Sequence, residues 1–268
     1  IIILFAGAGM NFLEGFLILV MLVGFSTGFS SISQPVVESI QSGSSLEGYL
    51  QPGDRLYEID GERVYVANDF TTLLSLDLAH NGDLHEVVVI RDGKKVTFPE
   101  LQVEARQLPS PTGVSLRYGL NLVAEPRNLG NVLSFSAQSA VNYARTVRLS
   151  LHMIFRGQVG LKEVSGPVGI VKHIADVGTQ AESVSIGLWN VLSLGAFIAI
   201  NLGIMNLLPI PALDGGRIVG VLLTSSIEGV TKKKLKPKIE GYIHAGGMVV
   251  LLVLMAVILF KDVIQIII

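Results

Sequence analysis

The chain has 268 residues, half of them hydrophobic and only 16% charged, with a formal net charge of -2 and no cysteine. The absent cysteines exclude disulfides, thiolate catalysis and any cysteine-based zinc site. No basic patch interleaves with aromatics, so no nucleic-acid partner is expected, and the positive mean hydropathy suits a membrane protein with a modest soluble part. The chain opens Ile-Ile-Ile-Leu, without an initiator Met or a signal-peptide n-region, and is expected to be the later part of a longer protein.

The first apolar run, residues 12 to 29, is near spanning length and predicts a transmembrane helix within 1–31. Glu14 lies near its start and reads as a carboxylate snorkelling to an interface. Charges then become frequent, and short β-rich runs appear at Arg55–Ile59, Glu86–Arg91 and Val96–Phe98. Asp60-Gly61 and Asp92-Gly93 fall between such runs as hairpin-type turns. Residues 32–108 therefore predict a small β-rich domain.

Residues 109–183 predict a linker followed by helices lying at the membrane surface. Pro109, Pro111 and Pro126 mark 109 to 130 as linker. From Asn131 to Phe155 apolar residues recur at helical spacing, with Arg145, Arg148 and Arg156 on the other face. Periodicity alone leaves a basic surface helix and an ordinary packing helix equally open.

A second spanning segment, 184–228, is interrupted at Asn201-Leu-Gly-Ile-Met-Asn-Leu-Leu-Pro-Ile-Pro-Ala-Leu-Asp-Gly-Gly-Arg217. Pro209 and Pro211 lack N–H groups and are expected to leave the Met205 and Leu207 carbonyls unpaired. Within hydrocarbon such backbone survives only against protein or a polar cavity, and an ionisable group beside it is a functional candidate. Asp214 is that group. Its competing readings are an N-cap for the following half-helix and a carboxylate neutralised by Arg217. Asn206 has a competing reading too, as a helix–helix hydrogen bond. A basic loop, 229–241, carries five lysines and is expected on the cytoplasmic side by the positive-inside rule. A last transmembrane helix spans 242–268, and counting crossings puts the β-rich domain outside the cytoplasm.

Asn206-Leu-Leu-Pro-Ile-Pro-Ala-Leu-Asp-Gly215 resembles a signature of the site-2 proteases, a family of intramembrane zinc metalloproteases of which the regulator-of-sigma type carries a single PDZ domain. Ala6-Gly-Ala-Gly-Met-Asn-Phe12, Ser165-Gly-Pro-Val-Gly-Ile170 and Leu50-Gln-Pro-Gly-Asp-Arg-Leu-Tyr-Glu-Ile-Asp-Gly61 are similar to further stretches of that family, the last to its PDZ core. Ala8 departs from the family's usual proline.

The resemblance implies an α-helical membrane core with about three spans here, a fourth expected upstream, and an inserted extracytoplasmic PDZ domain. It implies Zn2+ held by two histidines of an H-E-x-x-H helix and by Asp214. Asn206, Pro209, Pro211 and Gly215 map onto the break that presents backbone to substrate. It further implies a multi-pass protein of the bacterial cytoplasmic membrane that cuts transmembrane segments of anti-sigma factors or remnant signal peptides. Its expected partners are substrate helices, lipid, and a peptide or substrate ectodomain at the PDZ domain. H-E-x-x-H is itself absent: none of His80, His85, His152, His173 or His244 begins it. No catalytic residue is therefore expected in this chain. The general-base Glu belongs upstream of Ile1, and this chain alone is expected to be inactive. The near miss, His85-Glu86, sits in a strand-like run where residues i and i+4 do not converge as on a helix. A non-catalytic scaffold binding peptide tails is the alternative that this absence leaves open.

Overall fold

A computed structural model describes residues 2–25, 31–76, 83–110, 113–158, 166–179, 184–231 and 237–267. The chain divides into two compact units, one of Ile1–Gly28 with Tyr143–Ile268, the other of Phe29–Asn142.

The second unit is built on a sheet of order β5-β4-β2-β1-β8, from β1 (Ser31–Ile40), β2 (Arg55–Ile59), β4 (Leu84–Arg91), β5 (Lys94–Gln102) and β8 (Leu120–Pro126). A short β3 (Glu62–Arg63) pairs with β2, while β6 (Arg106–Ser110) and β7 (Gly113–Arg117) form a separate hairpin. The two Asp-Gly turns behave as expected. Asp60 and Gly61 take φ of 50° and 77°, and Asp92 and Gly93 take 50° and 76°. That double left-handed geometry matches the twist of the strands on either side. Alternation buries Val87 and Val89, and a register shift between Leu56 and Glu58 lets both Leu56 and Ile59 join them in a core shared with Leu46, and with Phe70 and Leu73 of helix α2 (Asp69–Leu76).

A buried ion pair fixes the loop before β2. The Asp54 carboxylate accepts from Arg91 Nε and Nη2, each at 2.7 Å, and from the Gln51 N–H at 2.8 Å. Asp54 is fully buried, so removing Arg91 would leave a desolvated charge. The same hydrogen bond raises the Arg91 pKa above its ordinary value.

Residues 109 to 130, expected as a linker, are largely strand. β8 pairs along both ends of β1, from Ser31↔Pro126 to Ile40↔Leu120, so this sheet does not end near 108. Pro126 does not argue against a strand because it closes an edge strand, where no ladder N–H is needed, and Pro111 lies outside the described residues.

The first unit is helical: α1 (Ile2–Phe25), α4 (Pro167–Thr179), α5 (Val184–Leu207), α6 (Asp214–Thr231) and α7 (Pro237–Ile267), with α3 (Leu129–Phe155) continuing into it from the β-rich unit. Among the described residues, three helices hold stretches long and apolar enough to cross a membrane: Phe5–Phe25, Ile186–Leu207 and Ala245–Ile264. The first of these starts before the expected run. Glu14 is thereby an exposed residue near its middle rather than near its start. α6 reaches Thr231 and α7 starts at Pro237, which shortens the expected 229–241 loop, and Lys232 to Lys236 lie outside the described residues. On α3, Arg148 and Arg156 are exposed as expected, but Arg145 is buried.

Packing of α1 on α5 uses small residues. A Cβ added at Gly15 would lie 2.9 Å from the Ala196 carbonyl, and one at Gly203 would lie 3.1 Å from the Ala8 carbonyl. Apolar tails of lipid resemble leucine, so close backbone approach, rather than hydrophobic burial, holds such helices together. Met10, Leu13, Leu17 and Met21 of α1 stay exposed on one stripe, the face a lipid would cover.

Candidate active site

All five residues singled out at the break lie together in sequence and structure. Asn206 is in the last turn of α5, Pro209 and Pro211 are in the connection, and Asp214 and Gly215 open α6. The connection is tighter than the sequence predicts. Pro209 removes the usual partner of the Met205 carbonyl, yet the Leu208 N–H reaches that carbonyl at 3.1 Å. A 3₁₀-type bond thus replaces the lost helical one. Ile210 N–H then donates to Leu208 O at 2.7 Å, and Leu213 N–H to Ile210 O at 3.1 Å, so the segment turns back on itself. Ala212 holds a φ of 87°, a conformation that costs a non-glycine residue on the order of 1 kcal/mol.

The double glycine after Asp214 is explained by this compact turn. A Cβ at Gly215 would lie 2.2 Å from the Leu207 carbonyl oxygen, and one at Gly216 would lie 2.1 Å from that of Ile210. Only glycine lets the first turn of α6 sit on the backbone of the break. From the other side α7 presses in: a Cβ at Gly247 would meet Pro211 Cβ at 2.4 Å.

Asp214 is half-buried and is the first helical residue of α6. Its neighbour Leu213, not Asp214, supplies the carbonyl that accepts the first helical bond, from the Arg217 N–H at 3.2 Å. Among the described residues no hydrogen bond or ion pair reaches the Asp214 carboxylate. The capping and Arg217-neutralising readings therefore have no contact to rest on. The Asp214 Oδ2 faces α1, where it would lie 3.3 Å from a Cβ on Gly7. Asn206 is likewise half-buried, and its amide has no partner among the described residues. Sequence reasoning passed over Asn201, Gly7 and Gly247. The Asn201 Oδ1 is buried with no hydrogen-bond partner among the described residues. The signal was there: each is a polar or minimal residue inside an otherwise bulky apolar span.

Zinc needs three or four nitrogen, oxygen or sulfur ligands. Among the described residues no three His, Asp or Glu side chains converge, so what is present fits one corner of such a site through Asp214. His152 and His173 are exposed on α3 and α4, and His80 and the His244 side chain lie outside the described residues. The His85 near miss has a structural explanation. Its Nδ1 is 2.7 Å from Asp60 Oδ2, both side chains are buried, and Asp60 Oδ1 accepts the Glu86 N–H at 2.9 Å. His85 braces the β2–β3 turn against β4.

A relative in Fusobacterium nucleatum is 32% identical over 263 residues, covering 98% of this chain and 73% of the relative. Zinc metalloprotease RasP of Shouchella clausii is 33% identical over 268 residues, covering 97% of this chain and 58% of the relative. Regulator of sigma-W protease RasP of Bacillus subtilis is 31% identical over 258 residues, covering 96% of this chain and 57% of the relative. The chain thus spans less than two thirds of the length of these two RasP proteins. The profile of peptidase family M50 matches residues 1–254. With that match extending from α1 through the Asp214 break into α7, the chain belongs to peptidase family M50, the site-2 proteases.

Proposed function

We propose that this chain is the larger part of a zinc endopeptidase that cleaves membrane-spanning segments of other proteins, anti-sigma factors or remnant signal peptides among them. One observation carries the reading: in a family whose relatives are named zinc metalloproteases, Asp214 presents at a backbone break a carboxylate with no partner among the described residues. Such a group, left unpaired near lipid, costs several kcal/mol unless a cation or proton takes it up. In this proposal Asp214 is one metal ligand, and the other ligands and the general base come from residues outside the 268. When bound, zinc supplies a Lewis acid and lowers the pKa of its water toward neutrality. The residues of this chain do the rest by positioning. Asn206 offers both a donor and an acceptor to a substrate backbone whose own helical bonds have opened. Pro209 and Pro211 keep α5 from closing over that place, and Gly215 lets the turn stay thin.

The β-rich unit we assign as a PDZ-type peptide-binding domain. β8 terminates the described sheet, and the turn before it is held by the Gln41 N–H on Gly119 O at 2.8 Å and the Ser44 Oγ on Tyr118 O at 2.6 Å. Phe70 of α2 meets Tyr118 edge-on, with centroids 5.7 Å apart. An extended peptide added to the β8 edge, beside α2, is the binding mode this supports. Leu46 and Leu50, by contrast, are core residues. The bacterial cytoplasmic membrane, with this domain on the extracytoplasmic side, is the proposed location.

The test is Asp214→Ala in the intact protein. Zinc content measured by mass spectrometry should fall, and cleavage of a membrane-embedded reporter should drop by more than about 100-fold, beyond the effect of losing an outer-shell partner. Wild-type zinc and turnover in that variant would end the proposal.

A further inference from the structure

The stretch Gly166-Pro-Val-Gly-Ile170 has no place in the site described above, yet it is held by an unusual contact. Gly166 is the N-cap of α4: its carbonyl accepts the first helical bond, from the Ile170 N–H at 2.9 Å. An N-cap is ordinarily Ser, Thr, Asp or Asn, whose side chain accepts an N–H from the first turn. Glycine cannot do this, and Pro167 at the next position has no N–H to satisfy. The acceptor comes instead from another helix. Asp262 of α7 takes the Gly169 N–H on Oδ2 at 2.9 Å, while its Oδ1 lies 3.3 Å from Lys261 Nζ.

The fit leaves no room for a side chain. A Cβ on Gly166 would lie 2.5 Å from Ile258 Cγ2 and 2.7 Å from Asp262 Oδ2. The helix that supplies Asp262 is otherwise almost wholly exposed along its apolar span. Its less exposed residues, Gly247, Leu251, Ile258, Lys261 and Asp262, recur at helical spacing and make one narrow stripe. At one end of that stripe Gly247 presses on Pro211 of the break, and at the other Ile258 and Asp262 hold α4. Eleven helical steps, about 16 Å at 1.5 Å each, separate Gly247 from Ile258. α4 also packs on α5, the helix whose end forms the break.

We infer that Asp262 caps α4 in trans, and that this cap is a positioning contact which holds α7, and through Gly247 the Pro211 turn, in register with α5. A carboxylate in a lipid-facing span is costly unless paired, so the cap also forces α7 to present this one stripe to α4. The positioning half rests on the proteolytic reading given above; the capping half does not.

Hydrogen exchange on the intact protein in nanodiscs separates the two. In Asp262→Ala, a peptide covering residues 166–172 should exchange on the order of tenfold faster or more, the effect of losing a charge-assisted hydrogen bond. Asp262→Asn, which keeps an acceptor oxygen, should recover most of the protection. Gly166→Ala should loosen the same peptide by a different route. It also serves where Asp262→Ala does not accumulate. Unchanged exchange at 166–172 in Asp262→Ala, or in Gly166→Ala where that is the variant in hand, overturns the cap. For positioning, Asp262→Ala should lower turnover of a membrane-embedded reporter at least several-fold with zinc content intact, and Asn should restore it. Faster exchange with undiminished turnover overturns the positioning role while leaving the cap, and loss of zinc in Asp262→Ala would make it a metal-site effect and overturn it likewise. A protein that shows the exchange effect but never cleaves, even in wild type, counts against the proteolytic reading alone.

Discussion

Asp214 and its two glycines illustrate how much a single side chain's neighbours constrain it. Gly216 touches the Ile210 carbonyl so closely that even one methyl must displace backbone. Gly216→Ala should destabilise the protein by roughly 1–3 kcal/mol, the usual range for overpacking, read as an earlier thermal transition in detergent. Ala212 points the other way. Its φ of 87° is glycine-like, so Ala212→Gly should leave stability unchanged or raise it by up to about 1 kcal/mol in the same assay. A clear loss for Gly216→Ala with no loss for Ala212→Gly, two small-residue exchanges four positions apart, would establish that the turn geometry, rather than general tolerance, sets the outcome. In the β-rich unit, Arg91→Met leaves the buried Asp54 carboxylate without its bidentate partner. A loss of about 3–5 kcal/mol is expected, seen as rapid proteolysis of that unit.

At the scale of elements, the break between α5 and α6 is held open by proline chemistry and closed by backbone bonds. Leu208 already caps the Met205 carbonyl, so Pro209→Ala adds a competing N–H that can complete a regular helical bond there. α5 should lengthen, Asp214 should shift, and reporter cleavage should fall at least tenfold while expression in the membrane stays normal. Retained turnover would mean that the proline is not what keeps the turn irregular. The strand β8 shows the opposite kind of element. Nothing in its alternation was hidden, but three nearby prolines made a loop the simpler reading, and only pairing with β1 reveals a sheet strand.

For the whole molecule, the topology proposed from the apolar spans and the lysine-rich connection can be tested directly. This chain has no cysteine, so a cysteine placed at the exposed Tyr49 reports its own side. A membrane-impermeant maleimide should label Tyr49→Cys in intact spheroplasts, whereas Lys234→Cys should need permeabilised membranes. The reverse pattern would invert the proposed orientation.

Much of this was legible in the sequence. The spans, both Asp-Gly hairpins and the segment bearing Asp214 follow from local rules: hydropathy over some twenty residues, left-handed turn preferences, and proline's missing N–H. Those rules act within a few residues, so a linear reading captures them. Other features required coordinates because their causes lie far away in the chain. The partner that completes α4's first turn is 93 residues distant, Arg145 is buried despite its charge, and the Met205 carbonyl found a closer donor than helical periodicity offers. Hydropathy and turn propensity are properties of neighbours along the chain, while caps, close approaches and unpartnered carboxylates are properties of neighbours in space, and only folding decides which residues those are.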